Sequence, residues 1–130
     1  MWPSLLQVRT TSLPHYSLPS FAAAVEFLHD PVLSLRLSAI TRVATGHLRN
    51  GVPPEVLFGS GTDAAKFYET VTLFAVAAAV GKRSDVAVHC AAVAAIAPAD
   101  AALHPETMAA IRTETGVDYG STVQVFLAWA

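Results

Sequence analysis

The chain has 130 residues, of which 53% are hydrophobic and only 14% charged, with a mean hydropathy of +0.46; ordinary soluble domains carry roughly 45–50% apolar and about 25% charged residues. That length makes one domain with a core of its own, and the surplus of apolar surface implies self-association or a partner. A net charge of −2 provides no global field towards nucleic acid or membrane, and the single cysteine, Cys90, excludes an internal disulfide and a cysteine-rich zinc site.

Residues 1–19 read as an extended arm. Pro3, Pro14 and Pro19 punctuate it, and a proline drives the residue before it towards extended geometry. Leu5, Leu6 and Val8 suit a short strand or an arm lying on the surface, and the surface arm is the expectation. The stretch lacks the basic start and apolar run of a signal peptide. A cytoplasmic or intracellular location is therefore expected, within an assembled particle if one forms.

Ser20 is a good N-cap for a short helix in which Phe21, Val25 and Leu28 make one stripe. Asp30-Pro31 restarts the chain as a second helix, because Asp caps and Pro suits the first helical position. That helix runs to about Arg49, with Leu33, Leu37, Ile40, Ala44 and Leu48 as its expected buried stripe. Asn50-Gly51 closes it. It carries Arg36, Arg42 and Arg49, and no acidic residue lies between Pro31 and Arg49. These arginines are candidates for contact with an acidic partner, a phosphate or, in an assembly, nucleic acid. The competing reading is a solvated helix face, with Arg49 favouring the C-terminal dipole. Three arginines without interleaved aromatics leave that plainer reading ahead.

Residues 50–61 form a loop between Pro53-Pro54 and Gly59-Ser60-Gly61, and Val56, Leu57 and Phe58 are too apolar to leave it free. A single helical turn folded back on the core is expected. Gly59-Ser60-Gly61 lacks the lysine and spacing of a phosphate loop.

The central element is a helix hairpin, 62–80 and 85–97. Nine of the ten residues from Val71 to Val80 are apolar, and Val86 to Ala97 is apolar except for His89. A helix apolar all round is buried all round. Phe67, Val71, Phe74 and Ala78 make the densest stripe. Gly81 is the expected stop, Ser84 the next cap, and Ala97-Pro98 the end. So short a connection implies antiparallel neighbours, with Ala75, Ala77, Ala78 and Ala79 facing Ala91, Ala92, Ala94 and Ala95. The longest uncharged run here, Thr70 to Gly81, is shorter than the roughly 18–20 residues of a spanning helix, so no membrane insertion is expected. Residues 98–104 make a link, with a turn possible at Asp100. Pro105 opens another short helix that Gly116 stops. The tail from Asp118 alternates like a strand yet is apolar enough for a buried helix, and both readings stay open.

The expected architecture is all-α: a single domain, 1–130, with an arm over 1–19 and a helical core over 20–130. About five to six helices form a compact bundle around the alanine-rich hairpin, and the C-terminal segment is a helix or a short strand.

No paired carboxylates, metal-ligand spacing, nucleophile elbow or dinucleotide fingerprint occurs. The five histidines, His15, His29, His47, His89 and His104, are scattered. No metal, cofactor or catalytic residue is expected on this reading. The one local constellation is Asp85, His89 and Cys90. Asp85 lies one turn before His89 and is able to orient its imidazole, whereas His89 and Cys90 point about 100° apart on a helix. A histidine satisfied inside a core or interface explains the same pattern.

The run YETVTLFAVAAAVGKRSDVAVHCAAVAAI resembles the core of the carboxymuconolactone decarboxylase and alkylhydroperoxidase-D superfamily. Those helical oligomers often carry a glutamate, an Ala/Val-rich helix, and a CxxC pair followed by a histidine. Glu69 stands one residue too far away for that glutamate, His89 fits the histidine, and Lys82 and Asp85 occupy the cysteine positions. The resemblance implies a decarboxylase-like or inert relative with Glu69 and His89 facing one pocket, His89 as general acid–base, and no thiol peroxidase chemistry.

Two functions follow as expectations. The first is a non-enzymatic, self-associating helical protein, a subunit of a homo-oligomer or a coat- or shell-like assembly, with nucleic acid as a possible partner of Arg36, Arg42 and Arg49. The second is a small oligomeric enzyme or ligand-binding protein that uses Glu69 and His89.

Overall fold

The structure, a computed structural model, describes residues 2, 3, 5, 8, 17–98 and 102–129. Seven helices carry the described chain: α1 (Phe21–His29), α2 (Pro31–Arg49), α3 (Pro54–Phe58), α4 (Gly61–Gly81), α5 (Ser84–Ile96), α6 (Pro105–Thr115) and α7 (Gly120–Ala128). The all-α bundle is therefore present, and the C-terminal tail is helical.

Local side chains cap the starts of α1, α2 and α4. Ser20 accepts a hydrogen bond from the Ala23 amide at 3.1 Å. Asp30 accepts from Val32 at 2.9 Å and from Leu33 at 3.1 Å. Ser60 accepts from Asp63 at 3.1 Å. Each satisfies amide donors that a helix end leaves open. α1 has a second, distant cap, and α6 is capped by a ring. Glu114, on α6, accepts from the Phe21 amide at 2.7 Å and the Ala22 amide at 3.2 Å, so a carboxylate from far along the chain caps α1. His104 caps α6 through its ring, as described below.

α4 is the central post. Twelve of its residues are buried, from Ala64 and Phe67 to Ala78, and α1, α3, α5, α6 and α7 all pack on it. It is the one described helix long and apolar enough to cross a bilayer, yet 67% of that apolar window is buried inside the bundle. Its apolar surface is thereby spent on other helices. On α5 the buried residues are Val86, Ala87, Cys90 and Val93. Ala91, Ala92 and Ala94 are half-buried and Ala95 is exposed, so the seam uses a different face of α5 from the alanine set expected.

The α4–α5 turn also differs in detail. Gly81 is the last helical residue, and Lys82 takes the left-handed conformation, φ 54° and ψ 42°. Arg83, rather than Ser84, is the N-cap of α5.

Much of the described arm packs on the core: Trp2, Val8 and Leu18 are partly buried against it and Pro19 is exposed. Leu5 is buried and bridges Leu18 in parallel. The Trp2 ring meets Phe67 edge-on at 4.7 Å and Phe58 at 5.8 Å. Thr70 Oγ1 donates within reach of the Pro3 carbonyl, 2.6 Å, and of the Lys66 carbonyl, 2.9 Å. Leu6, His15, most of the arm and the turn at Asp100 lie outside the described residues.

Candidate functional site

α2 is where the sequence pattern and the structure part most clearly. Its buried residues are Ser34, Leu37, Thr41, Ala44 and Thr45. Three of these five carry hydroxyls. Thr41 Oγ1 donates to the Leu37 carbonyl and Thr45 Oγ1 to the Thr41 carbonyl, both at 2.7 Å, which satisfies them without a neighbouring helix. At 100° per residue the opposite face carries Val32, Leu35 and Val43, while Leu33 and Ile40 lie at its edge beside Leu37 and Ala44. Their exposures run from 36% at Leu33 to 71% at Leu35. Of the stripe expected inside, Leu37 and Ala44 are buried and Leu48 is half-buried, whereas Leu33 and Ile40 sit at the exposed edge.

Arg36, Arg42 and Arg49 are all exposed. The helix geometry puts Arg42 and Arg49 on the flank shared by Leu35 and Ser38, and Arg36 among the exposed aliphatic residues. On the other flank lies an apolar hollow of about 200 Å³, lined by Trp2, Pro3, Phe27, Leu33, Leu37 and Ile40, with Arg36 at its edge. α2 therefore presents a protruding Leu35 on one flank and an apolar depression on the other.

The chemically richest interior point is Glu69. It is 2% exposed, and its Oε1 lies 3.9 Å from His104 Nε2. The Thr107 amide donates to His104 Nδ1 at 3.3 Å, and Thr107 Oγ1 is 2.9 Å from the same nitrogen. Nδ1 accepts the amide bond, which leaves the ring proton on Nε2, towards Glu69. The His104 amide donates to Thr72 Oγ1 at 2.8 Å. This cluster ties the start of α6 to α4. His104 drew no attention in the sequence; the one signal for it was its position just before Pro105, where a cap belongs.

Glu69 and Thr72 share one side of α4, and Thr70, Val71 and Phe74 share the other. His89 and Cys90 line a hollow with that second set. The structure thus brings Glu69 to His104 and places His89 across α4 from it. The His89–Cys90 hollow measures about 10 Å³, the room of a single water. Burial pushes the Cys90 thiol up to about 12, so at neutral pH it is a packed apolar group rather than a thiolate nucleophile. No group of three metal-ligating side chains occurs among the described residues.

A family model described as "Protein of unknown function (DUF1810)" matches residues 1–92, a span that holds Arg36, Arg42, Arg49, Glu69 and His89 and ends within α5. No curated protein and no solved structure matches the chain.

Proposed function

The chain belongs to the DUF1810 family, and on that premise we propose that it is a non-enzymatic helical building block that pairs with a second copy of itself through the outer face of α2. The observation that carries this reading is the row of exposed Val32, Leu33, Leu35, Ile40 and Val43 on a helix whose inner face is satisfied within the chain. An isolated exposed aliphatic residue is ordinary, whereas five on one arc of a helix, with Arg36 among them, support an interface reading.

The face is self-complementary. A two-fold axis parallel to α2 sets opposite flanks of the two helices against each other. Leu35 of one copy then meets the hollow bounded by Leu33, Leu37 and Ile40 of the other, and the reverse contact follows by symmetry. Burying Leu35, now 71% exposed, contributes about 1–2 kcal/mol per copy. Arg42 and Arg49 flank this face, where an anionic polymer such as nucleic acid would be met in an assembly. The intracellular location expected from the sequence belongs to the same proposal.

Light scattering on a sizing column tests it. The wild type is expected at about twice the 13.7 kDa chain mass or above, rising with concentration, and Ile40→Asp or Leu35→Asp is expected to return the single-chain mass with unchanged helical circular dichroism. A wild type that stays at single-chain mass at hundreds of micromolar would sink the pairing. The 260/280 nm absorbance ratio of the same peak at low and high salt reads out any nucleic acid, which Arg42→Gln/Arg49→Gln is expected to reduce.

A further inference from the structure

A cleft of about 440 Å³ opens between the α1–α2 elbow and the first turns of α5, lined by His29, Ser34, Ser38, Arg83, Asp85 and His89, with Pro31 and Leu35 beside them. Its polar groups divide into two sets. The first is committed. Arg83 donates from Nε and Nη2 to the two Asp85 oxygens at 2.9 and 2.8 Å, from Nη2 to Ser34 Oγ at 3.3 Å, and from Nη1 to the Leu28 carbonyl. The Arg83 hydrogen bond holds the Asp85 carboxyl below the usual carboxylate range. The pair is therefore a fixed wall whose charges cancel. Asp30, the other acid at the elbow, is spent on the Val32 and Leu33 amides.

The second set is uncommitted. His29, Ser38 and His89 have no hydrogen-bond or ion-pair partner among the described residues. His29 ends α1, Ser38 comes from α2 and His89 from α5, so three helices contribute one polar group each to the same cleft. Arg42 follows Ser38 by one turn on the same flank of α2. The free capacity of the cleft is thus two imidazoles, a hydroxyl and a nearby guanidinium, with no free carboxylate to oppose an anion.

We propose that this cleft binds a phosphate monoester of small-metabolite size. Two imidazole N–H groups and a hydroxyl match the terminal oxygens of a dianionic phosphoryl group as hydrogen-bond donors, with the Arg42 guanidinium one turn along α2 adding positive charge. Pro31 offers apolar surface to the organic part. The volume is that of a small-molecule site.

Ring-proton NMR of the histidines tests this, with inorganic phosphate, glucose 6-phosphate and glucose as probes. Saturable shifts at His29 and His89 are expected with glucose 6-phosphate, weaker ones with inorganic phosphate and none with glucose, while exposed His47 stays still. His29→Gln/His89→Gln is expected to lose at least tenfold in affinity for glucose 6-phosphate. The single His29→Gln change, at the exposed last residue of α1, is expected to lose about threefold without disturbing the fold. Absence of saturation, equal movement of His47, or undiminished affinity in both variants would overturn the site. Equal affinity for the two phosphates would overturn the monoester and leave inorganic phosphate as the ligand.

Discussion

Lys82 is the one non-glycine residue at positive φ among those described. It stands where a helix ends in the left-handed conformation, a role that glycine fills without the clash of a Cβ. The Lys82 amide still satisfies the Ala78 and Ala79 carbonyls, and its exposed side chain has no partner of its own among the described residues. Lys82→Gly is therefore expected to stabilise the fold by about 0.5–1 kcal/mol, read as a Tm rise of a few degrees in thermal unfolding. A lowered Tm would mean that the unfolded-state entropy added by glycine outweighs the relieved strain. At this scale the sequence was legible wherever the chemistry is local. Ser20, Asp30 and Ser60 cap amides within three residues of themselves, and the residue types alone announce it. Glu114 does the same for an amide ninety-three positions away, and His104 meets Glu69 across thirty-five. No spacing rule reaches that far. That is why the pair implied by the family resemblance, Glu69 with His89, differs from the partner the fold supplies.

Among the helices, legibility followed how much of the circumference is apolar. α4 from Val71 to Ala78 is apolar on nearly every side and is buried throughout, so its burial was readable without knowing which face meets which neighbour. α5 read the same way from Val86 to Ala97, yet Val88 and Ile96 are 45% and 38% exposed and only one face of that helix is buried. The face itself was not readable. Ala78 is fully buried against the bundle, whereas Ala92 is half-buried. Ala78→Leu is expected to overpack the seam and cost about 1–3 kcal/mol, and Ala92→Leu to cost less than about 1 kcal/mol. Urea unfolding of the two variants separates them; equal losses would put Ala92 in the seam after all. α2 misled for the opposite reason. Its aliphatic residues suggest a buried stripe, yet Thr41 and Thr45 pack inward because each hydroxyl finds a carbonyl one turn back. The apolar face so displaced is the face proposed for pairing.

For the molecule as a whole, composition foretold an excess of apolar surface, and α2 is where the structure concentrates it. The arm ran against expectation because Trp2 and Leu5 read as ordinary apolar residues beside prolines, while the ring partners of Trp2, Phe58 and Phe67, lie far along the chain and Leu5 is held by a backbone bridge to Leu18. One last property follows from the position of Cys90. It is the chain's single thiol, 4% exposed and pushed up to about 12, at the joint of α4 with α5 and α2. A disulfide reagent such as Ellman's meets it only when that joint opens. Native protein is expected to react at least about a thousandfold more slowly than the same chain in 6 M guanidinium chloride. The native rate should saturate as reagent is raised, since opening then limits it. Labelling within seconds under native conditions would show that the centre breathes without unfolding. With one stoichiometric chromophore released per chain, the protein carries its own stopwatch for the lifetime of its folded state.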